Sequence, residues 1–177
     1  MKKILLLLLM IPFFTFAQNE VNNFKVNDQR LLVWQKVFES DVNPDQLFGQ
    51  LLSTGFFKDV NKTDSTFFGL FQGIEPDYKG YGSSEMSTPI YIARSFINGG
   101  VRIEIKDGRY RVTLQNLTLE QKYSDGLSKQ GEKSKIEGFA LSKDKIKSGF
   151  SKKPAAILNY TFNKIFKVSD DKSNDDW

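Results

Sequence analysis

The sequence predicts an α+β fold, a five-stranded antiparallel sheet with two helices on one of its faces. Three observations predict it. Residues 99–123 alternate apolar and polar side chains on both sides of a central turn, residues 43–55 carry helix start and stop signals, and residues 154–169 form a second amphipathic helix. The order along the chain is β-α-β-β-β-β-α, which such a sheet accommodates through short connections.

The first 17 residues have the pattern of a signal peptide and not of a folded element. A pair of lysines precedes an apolar run over 4–16, and small residues lead to a predicted cleavage between Ala17 and Gln18. The apolar run is shorter than the roughly 20 residues that a membrane-spanning helix needs. No cysteine follows it to carry a lipid. We therefore expect an exported protein, periplasmic or secreted and not a lipoprotein.

The remainder of the chain has the size of a single domain with one core. We expect a polar lead over 18–29, a domain over 30–169 and an acidic, disordered tail over 170–177. The domain includes an excursion over 124–153 that is rich in lysine, serine and glycine. This excursion has few apolar anchors, so we expect a long solvated excursion with short structured pieces and not a second domain.

Cysteine and histidine are absent from the whole sequence. Thiolate and imidazole metal ligands are therefore excluded, as are catalytic triads built on Ser–His or Cys–His pairs. The net charge of +4 is small for a nucleic-acid-binding protein, and the predicted export from the cytoplasm also argues against nucleic-acid binding. We expect no nucleic-acid partner, no cofactor and no metal.

The first strand and the first helix are predicted from adjacent segments. "RLLVWQKVFES", residues 30–40, has apolar side chains on both faces, which indicates a strand that is covered on both sides. In the helix over 43–55, Asn43 is the expected N-cap and Gln46 completes a capping box with it. Gly55 can adopt the left-handed conformation that ends a helix.

The next segments predict two strands separated by a long loop. A turn over 61–65 leads into a strand over 66–74, a glycine-rich and polar loop follows over 75–89, and "IYIARSFI", 90–97, is the third strand. Near the end of the chain, the helix over 154–169 has an apolar stripe at helical spacing that we expect to be buried.

The fourth and fifth strands form a hairpin around a two-residue turn at 107–108. This register places Glu104 opposite Arg111, an expected cross-strand ion pair. Beyond the apolar pairs the phase of the pattern slips, which predicts a bulge or the end of pairing near 115–116. The apolar side of the hairpin consists of Val101, Ile103, Ile105, Tyr110, Val112 and Leu114.

The "LLVWQKVF" strand, the capped helix and the "VRIEIKDGRYRVTLQNL" hairpin resemble a family of exported bacterial proteins described as a domain of unknown function. The resemblance covers roughly residues 30–123, and the "FAQ" at the end of the signal peptide resembles those of exported Bacteroidetes proteins. It implies a TATA-binding-protein-like (TBP-like) fold. It implies no activity, catalytic residue or DNA binding, because fold does not determine function.

The sheet face away from the helices is the first candidate ligand-binding surface. The pattern leaves open which side of the early strands faces the helices. The functional interpretation is a half-apolar, half-cationic surface for an anionic amphiphile, an envelope polysaccharide or a protein. The alternative is that residues 124–153 or a second subunit, in a homodimer, cover it. The candidate residues are Arg102, Arg109 and Arg111 from the hairpin, with Phe67 and Phe71, or Leu31 and Val33, from the earlier strands.

Two further candidates lie in turns. Tyr78 and Tyr81 of the loop "DYKGYGSS" could stack on a sugar or a partner, although such loops are also ordinary strand connections. Ser65 lies in "DST", which resembles a short O-glycosylation signal of exported Bacteroidetes proteins.

Two classes of function remain open. The first is a non-catalytic binding or interaction module of the cell envelope, with an envelope glycan, lipid or protein as its partner. The alternative is a histidine-free carbohydrate-active enzyme that uses paired carboxylates. Its candidate acids are Glu75, Asp77, Glu85 and Glu104, and no spacing among them distinguishes a general acid from a nucleophile.

Overall fold

The computed structural model describes residues 20–40, 43–126 and 128–168. The predicted signal peptide with its cleavage site at Ala17 and Gln18, and the predicted acidic tail, lie outside these residues. The strands are β1 (Phe24–Val26), β2 (Leu32–Glu39), β3 (Phe57–Lys62), β4 (Thr66–Ile74), β5 (Ser95–Lys106), β6 (Arg109–Gln121), β7 (Lys133–Lys135), β8 (Leu141–Ser142) and β9 (Lys145–Ile146). The helices are α1 (Pro44–Ser53), α2 (Ile90–Ala93), α3 (Glu137–Ala140), α4 (Ser148–Ser151) and α5 (Lys153–Phe166).

Within the described residues the main sheet has seven antiparallel strands in the order β1-β2-β6-β5-β4-β3. The seventh strand, β7, pairs with the part of β6 that lies beyond the end of β2. Strands β8 and β9 form a separate two-stranded sheet. The predicted α+β class with an antiparallel sheet is confirmed, but the prediction of five strands is wrong because the sheet has more.

The three strands of the main sheet that the sequence did not predict are short and lie at the sheet's margins. β1 is anchored by Phe24, the one fully buried side chain in a polar segment. β3 is mostly polar and is bulged at Asp59, which has a φ of 50°. All three side chains of β7 are exposed, so this strand is held mainly by backbone pairing. Such edge strands lack the alternation that identifies a half-buried strand.

The prediction of a separate third strand over 90–97 is also wrong. Its first half is the short helix α2, and its second half belongs to β5, which continues through Gly99 and Gly100 to the hairpin turn. The predicted third and fourth strands are therefore parts of one strand. A Cβ atom on Gly99 would lie 2.9 Å from the ring of Phe71 and 3.0 Å from the carbonyl oxygen of Gln115, so glycine is needed there for close packing.

The hairpin and the first helix are formed as predicted. Glu104 is opposite Arg111, and Asp107 and Gly108 both have positive φ, as a two-residue type I′ turn requires. The pairing register shifts between Asn98 and Gly100, opposite the predicted bulge. At the start of α1, the Asn43 side chain accepts a hydrogen bond from the backbone N–H of Gln46 at 2.9 Å.

Helices α1 and α5 pack on the same face of the main sheet. Phe48 of α1 stacks on Phe67 of β4 with ring centroids 5.4 Å apart, and Phe162 of α5 meets Trp34 of β2 edge to face at 5.3 Å. These rings belong to one continuous core cluster. The predicted position of both helices on one side is therefore confirmed.

The segment over 124–153 contains short structured pieces and contributes to the core. Its described residues include β7, α3, β8, β9 and α4, and they contribute Ile136, Ala140 and Phe150 to the core. The ring of Phe150 meets that of Phe24 edge to face at 5.3 Å. A few apolar anchors at wide spacing are enough to fix the segment at the margin of the sheet. No helix in the described part of the chain has the length and apolarity to cross a membrane.

Candidate functional site

The candidate site is the face of the main sheet that points away from α1 and α5. Side chains alternate along a strand, so the burial of Tyr110 and Val112 on the helix side directs Arg109 and Arg111 to the other side. We call this second surface the open face. It is formed by Val37 of β2, Thr66, Phe68 and Leu70 of β4, Arg102, Glu104 and Lys106 of β5, and Arg109, Arg111 and Thr113 of β6.

The apolar part of the open face differs from the sequence prediction. Phe68 and Leu70 are each 43% exposed, and they lie opposite Arg102 and Gly100 of the neighbouring strand. The placement of Phe67 and Phe71 on this face is wrong, because both are fully buried on the helix side. Since β4 is covered on one face only, its phenylalanines divide between the core and the surface. Of the other pair that the sequence offered, Leu31 precedes β2, and Val33 lies on the open side but is nearly buried.

A carboxylate shared by two arginines occupies the centre of the open face. The Glu104 carboxylate accepts hydrogen bonds from Arg111 Nη2 at 2.8 Å and Nε at 3.1 Å, and it forms an ion pair with Arg102 Nη2 at 3.0 Å. Two guanidinium groups therefore share a single negative charge and leave one net positive charge. Arg109 adds another charge near the hairpin turn and forms no ion pair with any described residue.

Two shallow concavities shape the open face. One, of about 600 Å³, lies between Phe68, Leu70 and Arg102 with Gly100 among its lining residues. A Cβ atom on Gly100 would meet only ordinary contacts at 3.6 Å, so packing does not require glycine there; the missing side chain deepens the concavity. The second, of about 370 Å³, is lined by Val37, Glu104, Lys106, Arg109 and Arg111 among others.

The segment over 124–153 does not cover the open face, which corrects one of the alternatives. The segment runs along the free edge of β6 through β7, and the Glu137 carboxylate accepts a hydrogen bond from the backbone N–H of Leu32 at 3.1 Å. Phe68 and Leu70 remain exposed. Cover by a second subunit stays a prediction.

The two candidate tyrosines lie away from the arginines, beside α5. Tyr78 is nearly buried and packs in the core cluster, whereas Tyr81 is 41% exposed and meets Tyr160 edge to face at 6.0 Å. Tyr78 also lines a cleft of about 710 Å³ between residues 75–79 and α5. We call this cavity the loop cleft.

An ion pair lies at the wall of the loop cleft. Lys164 Nζ donates to Asp77 Oδ2 at 2.8 Å, the backbone N–H of Gly80 donates to Asp77 Oδ1 at 2.8 Å, and the backbone N–H of Asp77 donates to Thr161 Oγ1 at 2.9 Å. The hydrogen bond from Lys164, followed by that from Gly80, lowers the pKa of Asp77, and the same contact raises the pKa of Lys164. Elsewhere, burial raises the pKa of Tyr91 to about 12.

Three of the four candidate acids are engaged by cations. Glu75 pairs with the buried ammonium of Lys122, Asp77 with Lys164, and Glu104 with two arginines. A glycosidase acid needs a raised pKa, and the pKa of Asp77 is lowered instead. The fourth acid, Glu85, is exposed in a short 3-10 helix. Over the ranges that the structure describes, no cluster of three or more carboxylates is placed to hold a metal.

Ser65 lies where the sequence predicts, in the exposed turn between β3 and β4. Its carbonyl oxygen accepts a hydrogen bond from the N–H of Ile105 at 2.8 Å, while its side chain faces solvent. A glycan on the hydroxyl would meet no core residue. The modification itself stays a prediction.

No family model and no curated protein matches the chain. One similar solved structure is a TBP-like protein from Parabacteroides distasonis, with 15% identity and a TM-score of 0.47 over 77% of this chain and 90% of that one. Another is a DUF4468 family protein from Bacteroides ovatus, with 15% identity and a TM-score of 0.40 over 80% of this chain and 90% of that one. The structural neighbours are thus Bacteroidetes proteins, one TBP-like and one of a domain-of-unknown-function family, as the sequence resemblance implied.

Proposed function

We propose that the protein is an exported, non-catalytic binding module of the cell envelope, periplasmic or secreted, whose open face binds an anionic amphiphile. The observation that carries the proposal is the adjacency of exposed apolar and cationic side chains. Phe68 is exposed directly beside Arg102, and Leu70 is exposed beside the concavity over Gly100. An exposed apolar patch bordered by charged groups is typical of an interaction surface.

The chemistry of the surface favours a ligand that has both an acidic head and an apolar part. Arg102 and Arg111 are oriented by Glu104, and a guanidinium retains donors that can bind a phosphate or carboxylate in two-point geometry. Phe68 and Leu70 offer apolar contact one strand away. An acidic lipid or lipopolysaccharide headgroup with its acyl chains combines the two features. A purely polar anion would leave the apolar part of the face in water.

The test is co-sedimentation of the purified protein with lipid vesicles. We expect binding to vesicles of phosphatidylcholine mixed with phosphatidylglycerol, weaker binding to phosphatidylcholine alone, and loss of the difference at high salt. A double variant, Arg102→Gln with Arg111→Gln, should lose the preference for acidic lipid. A second double variant, Phe68→Ser with Leu70→Ser, should reduce binding to both.

The matched control removes the same amount of charge from another surface. Lys129→Gln with Lys145→Gln takes two exposed lysines from the segment over 124–153 and should leave vesicle binding unchanged. If this control weakens binding as much as the arginine variant does, the lysine-rich segment is the binding surface and the proposal is wrong. Dimerisation that the Phe68 and Leu70 substitutions abolish, without any vesicle binding, would assign the open face to a second copy of the chain instead.

A further inference from the structure

We propose that the loop cleft is a second binding site, for a neutral oligosaccharide, that works independently of the open face. The cleft of about 710 Å³ lies within the size range of small-molecule sites, roughly 300–1,000 Å³. It is lined by α5, by Gly73 of β4 and the loop that follows this strand, and by Thr54 and Phe56 between α1 and β3. None of these lining residues belongs to the open face. Its occupant can therefore be tested separately from that of the sheet.

The apolar side of the cleft matches the carbon-bound face of a sugar ring. Phe56 and Ile165 are partly buried and still in contact with solvent at the cleft, and Pro76 and Tyr78 are buried beside them. These four apolar residues, together with the polar groups of the same cleft, give the mixed lining that is usual for ligand sites. A sugar ring has the same division, with C–H groups on its faces and hydroxyls around its edge.

The polar lining of the cleft offers a fixed acceptor, Asp77, beside a fixed donor, Lys164. Each oxygen of the Asp77 carboxylate accepts one hydrogen bond, from Lys164 or from Gly80, and each keeps acceptor capacity. The Lys164 ammonium uses one of its three hydrogens on Asp77. Two neighbouring hydroxyl groups of a sugar could therefore donate to Asp77 and accept from Lys164 at the same time. The backbone of Asp77 is held to α5 through Thr161, so this arrangement is formed in advance of binding.

Charge balance selects a neutral ligand. Both carboxylates of the lining are paired with ammonium groups, Glu75 with Lys122 and Asp77 with Lys164, and the lining also holds Lys79. An acidic ligand would be repelled by the two carboxylates and a basic ligand by the ammonium groups, whereas a neutral ligand meets neither repulsion. The open face, by contrast, carries a positive excess around Glu104. The two sites are therefore expected to differ in the charge of what they bind.

The experiment is a titration of the purified, ¹⁵N-labelled protein, followed by backbone amide shifts. The probes are neutral oligosaccharides of glucose, mannose, galactose and N-acetylglucosamine, with oligogalacturonate as an acidic comparison. We expect saturable shifts at Gly73, Gly80 and Lys164 with at least one neutral probe and none there with oligogalacturonate. Absence of these shifts with every neutral probe, or a stronger response to oligogalacturonate, would overturn the proposal.

Variants separate a binding role for Lys164 from a structural one. Lys164→Met should weaken binding about tenfold, the effect of losing one hydrogen bond to a charged group. Lys164→Arg keeps a donor and should restore most of the affinity. Equal affinity in the methionine variant, with an unchanged melting temperature, would also overturn the proposal. The Arg102→Gln, Arg111→Gln variant should bind the saccharide normally, so failure at the open face and failure at the cleft give different results.

Discussion

Strand β4 carries adjacent phenylalanines that have opposite surroundings on the two faces of the sheet. Phe67 is fully buried beneath α1, while Phe68, the next residue, is 43% exposed on the open face. Both belong to the same strand and the same hydrogen-bonded ladder. The difference arises only from the alternation of side chains along a strand, combined with helices that cover one face.

The two faces of the sheet therefore have different roles. The helix face holds the core, where burying a large apolar side chain contributes roughly 1.5–3 kcal/mol to folding. The open face leaves comparable side chains in partial contact with water, so each contributes less to folding than a fully buried side chain does. Apolar area that does not serve the core remains available for a partner.

Phe67→Ala and Phe68→Ala form the most direct test of this comparison. We expect Phe67→Ala to lower the free energy of unfolding by about 3–5 kcal/mol, because it leaves a cavity next to Phe48. Phe68→Ala should lower it by only about 1 kcal/mol, since Phe68 is already 43% exposed and its removal leaves no cavity in the core. Denaturant unfolding of the purified variants measures both values.

The same pair also tests the proposed role of the open face. Phe68→Ala should reduce vesicle binding while the protein stays folded. Equal destabilisation by the two substitutions would contradict the comparison, because it would mean that Phe68 is covered in solution. A concentration-dependent stability confined to Phe68 would identify a second copy of the chain as the cover.

Adjacent glycines provide a second, smaller contrast. Gly99→Ala should cost about 1–3 kcal/mol, because its Cβ would lie 2.9 Å from Phe71 and 3.0 Å from the Gln115 carbonyl oxygen, which forces the strands apart. Gly100→Ala faces the open side, where the nearest atoms are 3.6 Å away, and should change stability by about 0.5 kcal/mol or less. Thermal unfolding of the two variants measures both effects. A large loss of stability in Gly100→Ala would show that close packing at the concavity requires glycine.

The fold could be predicted where local signals and burial agree. The hairpin was predictable because a two-residue turn at Asp107 and Gly108 fixes a register in which every apolar pair lies on one side. Helix α1 was predictable from Asn43 and its capping bond. Strands β1 and β7 were not predictable, because their pairing is decided by neighbours that are distant in sequence and their side chains carry little alternation.

The cationic part of the candidate site could be predicted from the sequence, whereas its apolar part could not. Arg102 and Arg111 follow from the hairpin register, and so does their carboxylate partner. Phe68 could have been chosen over Phe67 only by knowing that Phe48 of α1 packs on the latter, a contact between different elements. The loop cleft was not predictable, because Asp77 and Lys164 meet across a separation of 87 residues.

Substitution of Tyr110 tests a polar contact on the helix side of the sheet. Its hydroxyl donates to the carbonyl oxygen of Phe166 at 2.6 Å and accepts from the backbone N–H of Val168 at 3.0 Å, which ties the end of α5 to β6. Tyr110→Phe should lower the free energy of unfolding by about 1–2 kcal/mol, because it leaves backbone groups without their partner. Hydrogen exchange should quicken at the end of α5 and stay unchanged in the β3–β4 hairpin. Faster exchange across the whole sheet would contradict so local a role.

The smallest expected effect is the pH dependence that Asp77 adds on the covered side. The folded-state pKa of Asp77 is below its ordinary value of 3.8, so the carboxylate stabilises the fold fully above that value, and the contribution is lost as pH falls through the folded pKa. Asp77→Asn should therefore be less stable than the parent at neutral pH, and the difference should vanish in strong acid. Unfolding measured from neutral to acid pH checks this. A difference that persists unchanged at the acid end would assign the effect to the lost geometry at Gly80 and not to the charge, because protonation of the parent would already have removed the ion pair with Lys164.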